Sequence, residues 1–267
     1  MKKHVLLTLA ALAGLLLASC AGATPTAAPE PTSPPAEGAL PDLGGQAITV
    51  AVENAYPPFN SMDEGTNEAI GWDYDSVREI CDRLNCVPEF KQAAWDGIFP
   101  AMQAGEYDML ADGVTYTAER DEIVDFSIPY VTVGQVLLIK EDAPIADVEA
   151  FKADSTKVVG TQIGTTNEMV AKEHFPEDRV QSFEEFGGAV AALNAGDLDA
   201  VVIDNISALG FIAENEGLAV GPQLTSDEQL AFVFPPDSDL TAAVDAALEA
   251  MQADGTLEEI NNKWFNP

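Results

Sequence analysis

The 267-residue chain carries 45 acidic against 12 basic residues, a formal net charge of −33 at pH 7. That excess excludes nucleic acid as a natural partner, argues against rest on an anionic membrane surface, and favours solubility. Two histidines and three cysteines leave little material for a metal centre or a Ser/His/Asp set, and no cofactor-binding motif is present.

In chain order, Lys2 and Lys3 precede a short apolar run (5–18) that ends in Leu17-Ala18-Ser19-Cys20. A basic start, a brief apolar segment and small residues before a cut define a secretory signal, here 1–19. Cys20 directly after Leu-Ala-Ser resembles a lipobox, which implies cleavage before Cys20, lipidation of its thiol and attachment to the cell membrane. Residues 20–45 are rich in Pro, Ala and Thr, cannot bury a core, and read as a tether. Two cysteines then remain, Cys81 and Cys86; in an exported chain that spacing suits a disulfide, with two free thiols as the alternative.

Residues 46–267 are many for one compact core and suit two lobes. Strand-like apolar runs fall at 47–52, 107–111, 157–160, 200–203 and 229–234. Helical patterns fall at 74–84, 97–104, 166–174, 186–195, 205–215 and 240–253, the last behind Asp239 as N-cap. Strands alternating with helices predict α/β sheets whose strands run mainly parallel. Ligands in such sheets bind beyond the carboxyl ends of strands. Glu53 follows the first strand, Asp112 and Gly113 the second, 164–167 the third, and Asp204 ends the fourth.

The stretch 106–130 holds the sharpest signal. Gly113, Thr115, Thr117 and Arg120 lie within eight residues, and Arg120 is one of only four arginines. A guanidinium suits an α-carboxylate, while hydroxyl and carbonyl oxygens suit an ammonium, so the constellation is one for binding before it is one for catalysis. Thr117 reads as structural, capping a turn towards Arg120.

Several segments, in order, carry a family resemblance: YPPF (56–59), GWDYD (71–75), WDGIFPAMQAGEYD (95–108), GVTYTAER (113–120), VDFSIPY (124–130), GTT (164–166) and AGDLDAVVID (195–204). Together they resemble the extracytoplasmic solute-binding proteins of polar amino-acid ABC transporters, which include lysine/arginine/ornithine-, histidine- and glutamine-binding proteins. The resemblance implies a two-lobe, type II periplasmic-binding-protein-like fold. Each lobe would hold a mixed, mainly parallel sheet flanked by helices. Lobe 1 would comprise 46–131 and 225–267 and lobe 2 would comprise 132–224, joined by hinge crossovers at 130–134 and 224–229. It further implies a monomer outside the cytoplasm that docks on an ABC permease.

By the same resemblance, Arg120 would clamp the ligand carboxylate with the Thr115 and Thr166 amides. The Gly113 carbonyl, Thr115 hydroxyl and Asp204 carboxylate would take the ammonium. Tyr56 and Trp95 would sandwich the ligand side chain, with Asn167 and Glu53 at its far end. Asp204 also stands where it would cap the helix at 205–215. Glu53 and Asp112 are acids at positions that bear on specificity, and point to arginine, lysine or ornithine. Glutamine or histidine is the alternative, and a dehydratase-like enzyme or a sensory receptor on the same scaffold are the other classes.

Overall fold

The computed structural model describes residues 39–63 and 65–266. The signal segment, Cys20 and the tether up to residue 38 lie outside the described residues.

Two five-stranded sheets organise the chain into two lobes. The first has the strand order Cys86–Gln92, Gln46–Val52, Met109–Leu110, Val233–Phe234, Asp125–Phe126. The second has the order Val180–Phe183, Val159–Gln162, Ala200–Asp204, Gln135–Lys140, Leu218–Gln223. In each sheet one strand, the one arriving from a crossover (Val233–Phe234 or Gln135–Lys140), runs antiparallel to its neighbours and the other pairs are parallel, so both sheets are mixed. The crossovers run side by side: Val131–Val133 pairs antiparallel with Glu228–Leu230. Their closeness needs Gly134, because the Thr225 carbonyl lies where a Cβ would be.

Eight helices flank the sheets among the described residues: α1 (Trp72–Leu84), α2 (Ile98–Gln103), α3 (Val148–Ala153), α4 (Thr166–His174), α5 (Phe186–Ala195), α6 (Asn205–Glu214), α7 (Asp239–Asp254) and α8 (Thr256–Phe265). Helix α1 buries Trp72, Val77, Ile80, Cys81 and Leu84, the apolar stripe of its sequence. Trp72 anchors an aromatic cluster with Tyr130, Phe232 and Phe265 beneath the first sheet. After α1 the chain reverses at Asn85, in the left-handed conformation, and Cys81 is bonded to Cys86 across that turn.

Several boundaries differ from the sequence expectation. The strand expected at 157–160 is Val159–Gln162, because Lys157 still closes a turn onto the Asp154 carbonyl and Asp199 pins Lys157 and Val158. The strand expected at 107–111 shrinks to Met109–Leu110, since Asp108 is held by bonds to Thr49. The run 229–234 divides, one half pairing with the other crossover and one half entering the first sheet. Ser238 rather than Asp239 caps α7, accepting the Leu240 N–H at 3.3 Å, and Asp239 is the first helical residue. The strands Cys86–Gln92 and Gln135–Lys140 and the helices α3 and α8 were not legible. Pro88 speaks against a strand, and QVLLIK, buried almost throughout, has no alternation to read.

Candidate functional site

The carboxyl ends of the parallel strands converge from the two sheets on one narrow cleft. All ten residues expected to meet a ligand line it: Glu53, Tyr56, Trp95, Asp112, Gly113, Thr115, Arg120, Thr166, Asn167 and Asp204. Gln162, Thr165 and Phe186 complete the wall. Gln162 ends a strand that lies two residues beyond the sequence expectation, which is why no local pattern marks it; at that strand end it is the analogue of Glu53 and Asp204.

One jaw carries the cation. Thr117 Oγ1 accepts the Arg120 N–H at 3.1 Å and so shapes the turn, as expected. The guanidinium donates to the Thr115 carbonyl at 2.9 Å and to the Gly164 carbonyl of the other jaw at 3.4 Å. It also lies 4.5 Å from the Phe99 ring centre and 5.4 Å from that of Trp95, contacts that hold a planar cation in place. Burial pulls its pKa down to about 10, against the pull of Glu228 and Asp204, so it stays charged at neutral pH. Gly113 is glycine for two reasons. It sits at φ 56°, and a Cβ there would come within 2.9 Å of the Tyr56 ring.

The opposite jaw is built on the start of α4. Thr165 accepts the Glu168 N–H at 3.1 Å and Glu168 reaches back to the Gly164 N–H at 2.8 Å, a reciprocal cap that leaves Thr166 facing the cleft. The Thr166 and Thr115 hydroxyls meet across it at 3.2 Å. Asp204 precedes α6 but does not cap it with its side chain. Its carboxylate accepts instead from the Tyr56 hydroxyl at 2.7 Å and from Asn167 Nδ2 at 2.9 Å. Burial nevertheless pushes its pKa up to about 6.

Tyr56 stacks on Phe59 and on Phe186, with ring centres 5.5 and 5.2 Å away. Those contacts take ring surface that a simple Tyr56–Trp95 sandwich assigned to a ligand. The ring belongs to the joint between the jaws as much as to the pocket wall.

Glu53 and Asp112 form the acidic end. Glu53 accepts from Gln162 Nε2 at 2.6 Å; Asp112 accepts from Asn60 Nδ2 at 2.7 Å and from the Glu53 backbone N–H. Neither has a basic protein partner in these bonds. Burial, and then the neighbouring Asp112 charge, push Glu53 up to about 9; burial pushes Asp112 up to about 7. Among the described residues the cavity wall thus sets one basic group, Arg120, against three carboxyls. It contains no histidine or cysteine, and no cluster of metal ligands occurs among the described residues.

The profile of the bacterial extracellular solute-binding proteins, family 3, matches residues 48–267. The chain belongs to that family. The ABC transporter arginine-binding protein 1 of Escherichia coli (strain K12) is 28% identical to it over 226 residues, 82% of this chain and 91% of the relative. Among solved structures, an ancestral arginine-binding protein bound to glutamine is 35% identical with a TM-score of 0.76, covering 83% of this chain and 98% of its own. The ancestral amino acid-binding protein AncCDT-1, a precursor of cyclohexadienyl dehydratase, is 34% identical with a TM-score of 0.75, over 82% of this chain and 95% of its own. As a family 3 chain this is a solute-binding protein of two α/β lobes. No helix among its described residues is long and apolar enough to cross a membrane.

Proposed function

We propose that this solute-binding protein captures a free cationic amino acid (arginine, lysine or ornithine) between its lobes and hands it to an ABC permease. The observation that carries the reading is the charge count of the cavity. With Glu53 holding its proton, Arg120 faces Asp204 and Asp112, and the net charge approaches one negative as pH rises past about 7, where Asp112 loses its proton. An amino acid with a cationic side chain brings net one positive and neutralises the site, whereas a neutral amino acid leaves it charged and desolvated. Arg120 takes the α-carboxylate and Asp204 with the Gly113 carbonyl takes the α-ammonium, so the side-chain cation falls to Asp112 and Glu53.

In this reading lobe 1 comprises 46–131 and 225–267 and lobe 2 comprises 132–224. The paired crossovers act as the hinge, and ligand contacts to both lobes favour the closed form. The protein acts as a monomer outside the cytoplasm, lipid-anchored through Cys20. A glutamine-type ligand is the second reading, supported by the Gln162 amide in the wall and by the solved relative bound to glutamine.

The test is calorimetry of the protein against the twenty amino acids and ornithine. One-to-one binding of a cationic amino acid is expected, and Arg120→Ala should weaken every amino acid by a hundredfold or more, about 3 kcal/mol for an unpaired carboxylate. Turnover of a prephenate-like compound without amino-acid binding refutes the receptor reading. Equal affinities for arginine and glutamine refute the cationic one.

A further inference from the structure

We propose that Asn60, which is not part of the cavity wall, is the positioning residue that presents both acids of the pocket's acidic end to the ligand side chain. Asn60 is fully buried. Its single amide nitrogen donates to Asp112 at 2.7 Å and to Asp73, behind it, at 2.9 Å. Its carbonyl accepts the Asn54 N–H at 2.7 Å. One side chain therefore fixes the Asp112 carboxylate directly and, through the residue that follows it, the backbone at Glu53.

The surroundings leave the amide one orientation. A backbone N–H needs an acceptor and two carboxyls call for a donor, so a flipped amide would face oxygen to oxygen at two places. Asn54 sits at φ 64°, and its own side chain is held by the Tyr74 hydroxyl at 2.6 Å. The chain after Glu53 is thus tied at two points, and Asp112 in turn accepts the Glu53 N–H. Asp73 is buried with its second oxygen unpartnered; it donates nothing to the pocket's acids, feels the Asp112 charge, and is hydrogen-bonded to Asn60. Asp73 also stands in the first turn of α1, where the helix N-terminus favours a carboxyl. As a backstop that keeps the Asn60 nitrogen turned between the two acids, it has a function.

This inference rests on the reading that Asp112 and Glu53 meet the ligand side chain, and the experiment separates the two. Arginine and glutamine affinities are measured by calorimetry for the full chain, Asn60→Ala, Asp112→Asn and the double variant. Asn60→Ala is expected to reduce the arginine-to-glutamine affinity ratio about tenfold, the effect of one hydrogen bond to a charged group. In the Asp112→Asn background the same change should move the ratio less than about twofold. If Asn60→Ala weakens both ligands equally, or shifts the ratio as much without Asp112, its role is only structural and the proposal is overturned. An unchanged ratio in Asp112→Asn alone overturns the cationic reading instead. Should Asn60→Ala not fold, the parent protein decides: the Asn60 side-chain amide protons should shift more with arginine than with glutamine in NMR titrations, and equal shifts refute the proposal.

Discussion

Replacing Gly210 by alanine should separate stability from affinity. Gly210 lies inside α6 of the second lobe, and the turn of Pro57 and Pro58 from the first lobe packs on it. An added Cβ would stand 2.6 Å from the Pro57 carbonyl carbon and oxygen and 2.8 Å from the Pro58 nitrogen. Comfortable carbon contacts need about 3.5–4.0 Å, so close to an ångström is missing against backbone atoms that have no rotamer to yield. Overpacking of this kind costs about 1–3 kcal/mol, which lowers affinity about 5- to 150-fold, since only the arrangement with the lobes together contains the overlap. Within the lobe itself the sign reverses. Alanine in a helix interior is better than glycine by about 1 kcal/mol, worth a rise of about 2–4 °C in the ligand-free melting temperature. Calorimetry of arginine binding and scanning calorimetry of the free protein measure the two effects. An unchanged affinity, or a free protein that melts earlier, refutes the reasoning.

Other outcomes follow from the acids and the disulfide. Arginine affinity should rise about tenfold between pH 6 and pH 8 as Asp112, held near 7, loses its proton, while glutamine affinity stays nearly flat; the reverse order rules out Asp112 as the cation's partner. Stability of the arrangement with the lobes together should move the other way. Glu53, Asp112 and Asp204 all have raised folded-state values, so their contribution is complete below about pH 4 and is lost as pH climbs through about 6, 7 and 9. Urea midpoints at pH 5 and pH 8 check that sign. Removing the Cys81–Cys86 bond by a double alanine substitution should cost about 2 kcal/mol for so short a loop, with ligand affinity unchanged because the turn lies outside the cavity wall. A large loss of affinity would mean that the first lobe is held in shape by that turn.

Legibility in the sequence followed the reach of each signal. Glu53, Asp112 and Asp204 were readable because a short apolar strand followed by an acid is a local pattern, and strand ends converge in this class of fold. Helices α4 and α5 were found to the residue because caps and apolar periods are local too. The hydrogen bond between Tyr56 and Asp204 joins residues 148 apart, and nothing near either one announces the other. The same holds for Asn60, whose motif neighbours drew attention to Tyr56, and for Gly210, whose reason for being glycine lies on the other lobe. Glu228 lies one residue before the run 229–234 that reads as strand, and no local pattern marks it. In the structure it accepts from Gln135 at 2.9 Å and from Thr225 at 2.6 Å, bracing the paired crossovers. Mixed sheet direction followed from the family resemblance and not from local pattern, since the antiparallel strands are those that enter from the crossovers.

Of the three tryptophans, Trp72 donates to Asn261 and Trp264 to Asp75, both among helices of the first lobe. Trp95 alone of the three lines the cavity, its indole nitrogen 3.5 Å from where a Cβ on Gly164 would stand. Its surroundings therefore come from both jaws. The chain thus contains its own optical reporter. Under the proposed hinge motion its ultraviolet emission should follow the cleft, making occupancy readable in unlabelled protein.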